Sequence, residues 1–270
     1  MTDNRSRQFI IEVKDLVKNY KDFKAVDRVS FEVKKGEIFA FLGPNGAGKT
    51  TTISILTTLL KPTSGQVRLN GCDPVTQQAQ ARRSFGIVFQ DPSVDDELTA
   101  WENMEIHSVL YGISRTERKG RIEELLKFVE LWERRDDYVK NYSGGMKRRL
   151  EIARGLLHQP EILFLDEPTL GLDPQTRIHI WDYIKKMNQE SGMTVFFTTH
   201  YIEEADKMAQ RAAIIDHGRI VTIGSPAELK KQTNADSLEG AFLELTGKDM
   251  RAEQGSARDR MRRMGEVMKR

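Results

Sequence analysis

The chain has 270 residues, with 42 Lys and Arg against 40 Asp and Glu, 39% hydrophobic and 30% charged residues, the balance of a globular protein long enough to bury a sizeable core. Its formal charge of +2 divides into +4 on residues 251–270 and −2 on the rest, so the body offers no basic footprint for nucleic acid. A single cysteine, Cys72, excludes an internal disulfide and a cysteine zinc site, and the sequence has neither a signal peptide at its polar start nor an apolar run near the roughly 20 residues of a membrane span; the expectation is a cytoplasmic protein whose membrane role needs a partner chain.

Apolar runs at Phe9 to Val13, Val29 to Val33 and Ile38 to Leu42 predict strands. Several are apolar at successive positions, which suits strands covered on both faces. The third runs directly into Gly43, Pro44, Asn45, Gly46, Ala47, Gly48, Lys49 and Thr50, then into a helical pattern through Ile53, Leu56 and Leu60. This is GxxxxGK[ST] between a strand and a helix, the context that gives the motif meaning. Glycines let backbone N–H groups turn inward around the β and γ phosphates, and the helix presents its positive end to them. Lys49 adds a cation, and Thr50 offers a hydroxyl to Mg2+, which prefers octahedral oxygen coordination shared with phosphate and water. Thr51 continues the same first turn, so the candidate nucleotide contacts span residues 43–51.

Phe85 to Phe89 predicts another strand. From Asp91 to His158 the strand pattern vanishes, and three helical stretches, Leu98 to Tyr111, Thr116 to Leu131 and Gly145 to Leu157, read as a helical insertion. The run Ile162 to Leu165 is a buried strand ending in Asp166 and Glu167, and strand ends of this kind are where open α/β sheets bind ligands. Asp166 is placed to hold Mg2+ through water and Glu167 to orient or deprotonate an attacking water. Asp173 and Pro174 read as an N-cap and first helical residue ahead of Ile180, Trp181, Ile184 and Met187. Thr194 to Phe197 is the last predicted strand of this series. Beyond His200 come a short helix, a hairpin through Asp216, His217 and Gly218, and two short helices ending near Leu245. Alternating strands and helices argue for an α/β core with a mainly parallel sheet. In the tail, Ala257, Met261, Met264 and Met268 recur at helical spacing among arginines, which suits either a short amphipathic helix at an anionic membrane surface or a solvated terminus.

Tyr142, Ser143, Gly144, Gly145 and Met146, 23 residues ahead of Asp166 as counted from Ser143, complete a set that resembles the nucleotide-binding subunits of ABC transporters. Ser143 caps a helix starting at the two glycines, an exposed N-terminus able to receive a phosphate. The segment departs from the commonest form of the signature, LSGGQ, at Tyr142 and Met146; Met146 is in line with Leu150, Ala153 and Leu157 and is expected to pack along its helix. The resemblance implies a P-loop NTPase core with an antiparallel β subdomain and an inserted α-helical subdomain at about 91–158, all within a nucleotide-binding domain of residues 1–250. It further implies that Gln90 reaches Mg2+ and the attacking water, that His200 contacts the γ phosphate, that Asp173 couples two sites across a dimer, and that Tyr20 stacks on adenine. The segments VFQDPSVDDELTAWENM, GLDPQTR, TTHYIEEAD and LEGAFLELTG look most like the ATPases of ABC-2 type and daunorubicin-resistance exporters.

The activity so implied is MgATP hydrolysis by an in-line water, driven by positioning and charge stabilisation. In the family it resembles, the second half of each site comes from the opposite chain, so the resemblance implies two chains in a head-to-tail pair with two sandwiched ATP molecules, and a separate multispanning permease as the membrane partner. Two other readings share these motifs: a soluble ATP-dependent clamp or regulatory ATPase without a membrane partner, and the ATPase of an importer.

Overall fold

The computed structural model describes residues 8–21 and 23–247; the tail, with its amphipathic-helix expectation, lies outside the described residues. In chain order the strands are β1 (Phe9–Tyr20), β2 (Phe23–Lys34), β3 (Ile38–Leu42), β4 (Ser64–Leu69), β5 (Phe85–Val88), β6 (Ile162–Asp166), β7 (Thr194–Thr198), β8 (Arg211–Asp216) and β9 (Arg219–Gly224). The helices are α1 (Lys49–Leu56), α2 (Gln78–Ser84), α3 (Ala100–Leu110), α4 (Arg115–Phe128), α5 (Gly144–Leu156), α6 (Pro174–Ser191), α7 (Ile202–Met208), α8 (Pro226–Thr233) and α9 (Leu238–Thr246).

Three strands form an antiparallel sheet in the order β2-β1-β4, and six form a second sheet in the order β5-β6-β7-β3-β8-β9. The second is parallel except for β9, which returns from β8 through the hairpin at Asp216 to Arg219. Alternation along β3 explains why it is apolar at every position. Phe39 and Phe41 point into a core shared with the antiparallel sheet and α1, while Ile38, Ala40 and Leu42 belong to the core under the helices. Phe31, Phe39, Phe41 and Phe196 gather in the first of these cores, with ring centroids 5.5–5.9 Å apart, separations at which aromatic pairs add to simple burial. The mainly parallel sheet, the antiparallel subdomain and the helical run between β5 and β6 therefore match the α/β reading.

Local chemistry places the ends. Thr99 and Glu102 make a capping box at α3, Ser143 caps α5 and Asp173 caps α6 with Pro174 in its first turn. Two of the boundaries that depart from the sequence reading bear on the site. Helix α1 stops at Leu56, short of Leu60, because Thr58 adopts φ +64° and the chain leaves the helix. Strand β5 ends at Val88, so Gln90 lies two residues beyond it.

Candidate functional site

Strands β5, β6, β7 and β3 are neighbours and run the same way. Their carboxyl ends therefore lie along one edge, and they lead to Gln90, Asp166 with Glu167, His200, and the phosphate loop. The loop is shaped by close approach as well as by flexibility. A Cβ on Gly43 would meet the Ile215 carbonyl at 2.3 Å, and one on Gly48, itself at φ +106°, would meet the Ala25 carbonyl at 2.5 Å, contacts that no side chain tolerates. Lys49 is buried at the first position of α1, and its ammonium donates to the Gly43 carbonyl at 2.6 Å and the Pro44 carbonyl at 3.3 Å. Burial pulls its pKa down, while Glu167 and Asp166 act the other way. Its charge is thus held near two acids by the fold.

Asp166 and Glu167 are both buried at the end of β6. Thr198 donates to Asp166 Oδ1 at 2.6 Å. Burial pushes the Asp166 carboxyl up, and the Thr198 bond opposes this. Glu167 sits at φ +53°, a left-handed conformation that costs a non-glycine residue roughly 1–3 kcal/mol and persists only where the surroundings hold it. Here its N–H donates to the Thr198 hydroxyl at 3.1 Å and lies 3.2 Å from the Thr198 carbonyl. Glu167 Oε1 is 2.7 Å from His200 Nε2. The other carboxylate oxygen, Oε2, is buried with no hydrogen-bond partner among the described residues, which leaves it free to accept a proton donor. Thr50 and Gln90 are exposed and Asp166 is buried; all three follow or end strands of this edge, and their side chains offer the oxygen donors that suit Mg2+ completed by phosphate and water.

Comparison with known proteins decides the family. The ABC transporter family profile matches residues 26–170. The chain belongs to the ABC transporter family. It is 41% identical over 229 residues to the linearmycin resistance ATP-binding protein of Bacillus subtilis, covering 85% of this chain and 73% of that one. With the daunorubicin/doxorubicin resistance ATP-binding protein of Streptomyces peucetius it shares 42% over 243 residues, covering 90% and 72%. The Nod factor export ATP-binding protein I of Cupriavidus metallidurans is 42% identical over 221 residues, covering 82% and 72%. Among solved structures, the ATP-binding subunit of an ABC transporter superposes with a TM-score of 0.80 at 30% identity, covering 88% of this chain and all of that one. A dimeric ATP-binding cassette in a post-hydrolysis state, bound to ADP and Pi, gives 0.72 at 32% identity, covering 80% and 98%. This chain is accordingly an ATP-binding, ATP-hydrolysing ABC subunit of the drug-resistance branch.

The remaining ABC motif residues are carried by other elements, α5, α6 and β1. Ser143 accepts the Met146 N–H at 3.3 Å at the start of α5. The nearest neighbours of the signature glycines are in the segment from Leu172 to Thr176: a Cβ on Gly145 would meet Thr176 Cγ2 at 2.6 Å, and one on Gly144 would meet Leu172 at 3.7 Å. Among the described residues no hydrogen bond joins Ser143 to the phosphate loop. Met146 packs on the core cluster containing Leu150, Ala153 and Leu157. Asp173 accepts both the backbone N–H of Thr176, at 3.0 Å, and its hydroxyl, at 2.6 Å; these bonds lower its pKa and leave it exposed. Tyr20 ends β1 half-buried, opposite Phe23, with Lys18 Nζ 5.3 Å from its ring centroid.

Sequence reasoning missed a buried network behind these motifs. Arg148 of α5 donates to the carbonyls of Phe89, Gln90 and Glu167 and pairs with Glu151 at 3.0 Å. Glu151 accepts the Ser93 N–H at 2.6 Å, and Arg154 donates to the Ser93 carbonyl at 2.6 Å. The segment around Gln90 and the backbone of Glu167 are thus fastened to the helix that begins at the signature. The three-residue spacing of Arg148, Glu151 and Arg154 on one helix face was the available signal.

Proposed function

We propose that this chain is the motor of an exporter of drugs, lipids or polysaccharides, hydrolysing MgATP at sites shared between two copies. The observation that carries the hydrolytic part is the Glu167–His200 contact of 2.7 Å with Glu167 Oε2 left unpartnered in a buried place. In this reading the backbone N–H groups of residues 45–51 and the Lys49 ammonium bind the β and γ phosphates. Thr50, Asp166 and Gln90 hold Mg2+, which when bound neutralises charge on phosphate oxygens. Glu167 accepts a proton from the attacking water, and Gln90 and His200 orient water and γ phosphate. Tyr20 stacks on adenine. Ser143, Gly144 and Gly145 of one copy close over the ATP held at Lys49 of the other, and Asp173 carries the state of one site to the next. Two dimeric structures of one ATP-binding cassette among the structural relatives support pairing of two copies.

A separate multispanning permease is the membrane partner of this reading. No helix among the described residues is long and apolar enough to cross a membrane. Helix α3 leaves Ile106, Val109 and Leu110 exposed, Leu110 at 73%, close in sequence to Gln90 and suited to an apolar partner helix. The relatives named for drug resistance and Nod factor export support export over import or a soluble clamp. Purification from native membranes tests this: a multispanning protein that copurifies and raises the ATPase rate supports the exporter, and a wholly soluble protein indifferent to membranes contradicts it.

A further inference from the structure

We infer that Glu204 is a positioning residue that sets the Glu167–His200 contact by pinning the two segments that carry them; this rests on the hydrolytic roles proposed for Glu167 and His200. Glu204 lies buried on α7 and touches neither of those residues by a hydrogen bond among the described residues. Its carboxylate is instead the meeting point of three elements. Thr169, two residues after Glu167, donates its hydroxyl at 2.8 and 2.9 Å to the two oxygens of Glu204. Thr199, next to His200, donates to Glu204 Oε2 at 2.8 Å. Arg177 of α6 donates to Oε1 at 3.1 Å and lays its guanidinium 3.8 Å over the Tyr201 ring.

A buried carboxylate is costly unless a cation and several donors satisfy it, and here each donor comes from a segment of the site. Thr199 also accepts the Tyr201 N–H at 3.0 Å, which closes the turn around His200. The connections form a ring: Glu167 to His200 through their side chains, His200 to Thr199 along the chain, Thr199 to Glu204 to Thr169, and Thr169 back to Glu167. Arg177 adds the exposed dimer-coupling loop, since its N–H donates to the Asp173 carbonyl at 3.0 Å. Asp173, the N-cap of α6, is thereby connected to His200 through Arg177, Glu204 and Thr199. Removing the charge of Glu204 loosens both segments together, and catalysis depends steeply on such positioning.

The test is a double-mutant cycle on the full-length chain, measuring kcat and KM for MgATP in wild type, Glu204→Gln, His200→Ala and the double variant. Expected are a kcat loss on the order of 10- to 100-fold in Glu204→Gln, a nearly unchanged KM, and no further loss when the change is added to His200→Ala, the signature of two residues acting as a unit. Amide hydrogen exchange of residues 198–203, measured without nucleotide, is expected to quicken in Glu204→Gln. Thr199→Val and Thr169→Val, each deleting one hydroxyl, carry the same cycle should Glu204→Gln fail to fold. Unchanged kcat in the Glu204 and threonine variants, or losses that multiply with that of His200→Ala, overturns the positioning role. Wild-type turnover in His200→Ala alone instead overturns the site reading beneath it.

Discussion

Asp166 and Thr198 are the last paired residues of neighbouring parallel strands, and the Thr198 hydroxyl donates to the Asp166 carboxylate at 2.6 Å while accepting the N–H of Glu167 at 3.1 Å. One threonine thereby fixes both acids that follow the buried strand. The residues emerging next, Glu167 and His200, meet at 2.7 Å as a consequence of that register. The geometry of this acid–histidine pair is a property of strand pairing, which side-chain packing then preserves.

Lys49→Ala removes the buried ammonium of the phosphate loop. Hydrogen bonds from charged groups contribute about 1.5–3 kcal/mol, so MgATP affinity is expected to fall at least about tenfold, with turnover lost. Equilibrium titration with a fluorescent nucleotide measures this, and equal affinity and turnover in both proteins contradict the assignment.

Arg148→Met is expected to destabilise the fold by about 3–5 kcal/mol, because it leaves Glu151, only 1% exposed, without its cation. Adding Glu151→Leu should recover only part of that loss, since it removes the stranded acid but takes the Glu151 charge away from buried Arg154. Urea unfolding of the single and double variants reads the difference; a loss below about 1 kcal/mol for Arg148→Met would place the pair among ordinary surface bridges.

The helical segment carries a pH dependence. Burial, with the Arg154 charge adding to it, pushes His107 down to about 4 from 6.5. His158 is also lowered, mainly by burial, and lies stacked on Tyr111 at 3.8 Å. Unfolded histidines take up protons near pH ~6.5, whereas His107 in the folded chain stays neutral down to about 4. The unfolded state therefore binds more protons in this window, so stability is fully present above it and declines as pH falls through it. Urea midpoints at several pH values should show this slope, and His107→Gln should flatten it; an unaltered slope in the variant contradicts the assignment.

Leu110→Asp combined with Val109→Asp should abolish assembly with the permease and leave MgATP affinity unchanged, because both side chains are exposed on α3. Copurification and nucleotide titration on the same preparation check the two halves. Intact assembly contradicts α3 as the docking face.

Much of this was legible in the chain itself. The phosphate loop, the acids after β6 and the caps Ser143 and Asp173 are local patterns whose physics is complete within a few residues. The full length of β1 and β2 was not, because β1 carries the polar pairs Lys14–Asp15 and Lys18–Asn19 and its pairing shifts register at several points. Strand β4 buries only Val67 and Leu69, and α2 is almost wholly polar, so neither shows a periodic face. Glu204 gave no sign at all. Beside Glu203 in the first turn of α7 it reads as an ordinary acid at a helix start, and only the fold brings Thr169, Thr199 and Arg177 to it.

In the proposed dimer, ATP at Lys49 of one copy is closed over by Ser143 of another and hydrolysed with Glu167. Sedimentation velocity of Glu167→Gln at saturating MgATP tests it most directly, alongside the turnover of the same protein. Expected are a slow hydrolase that accumulates as an ATP-bound dimer, and a monomer that still binds nucleotide once Ser143→Arg is added. A Glu167→Gln protein with wild-type turnover that stays monomeric under saturating MgATP would contradict it.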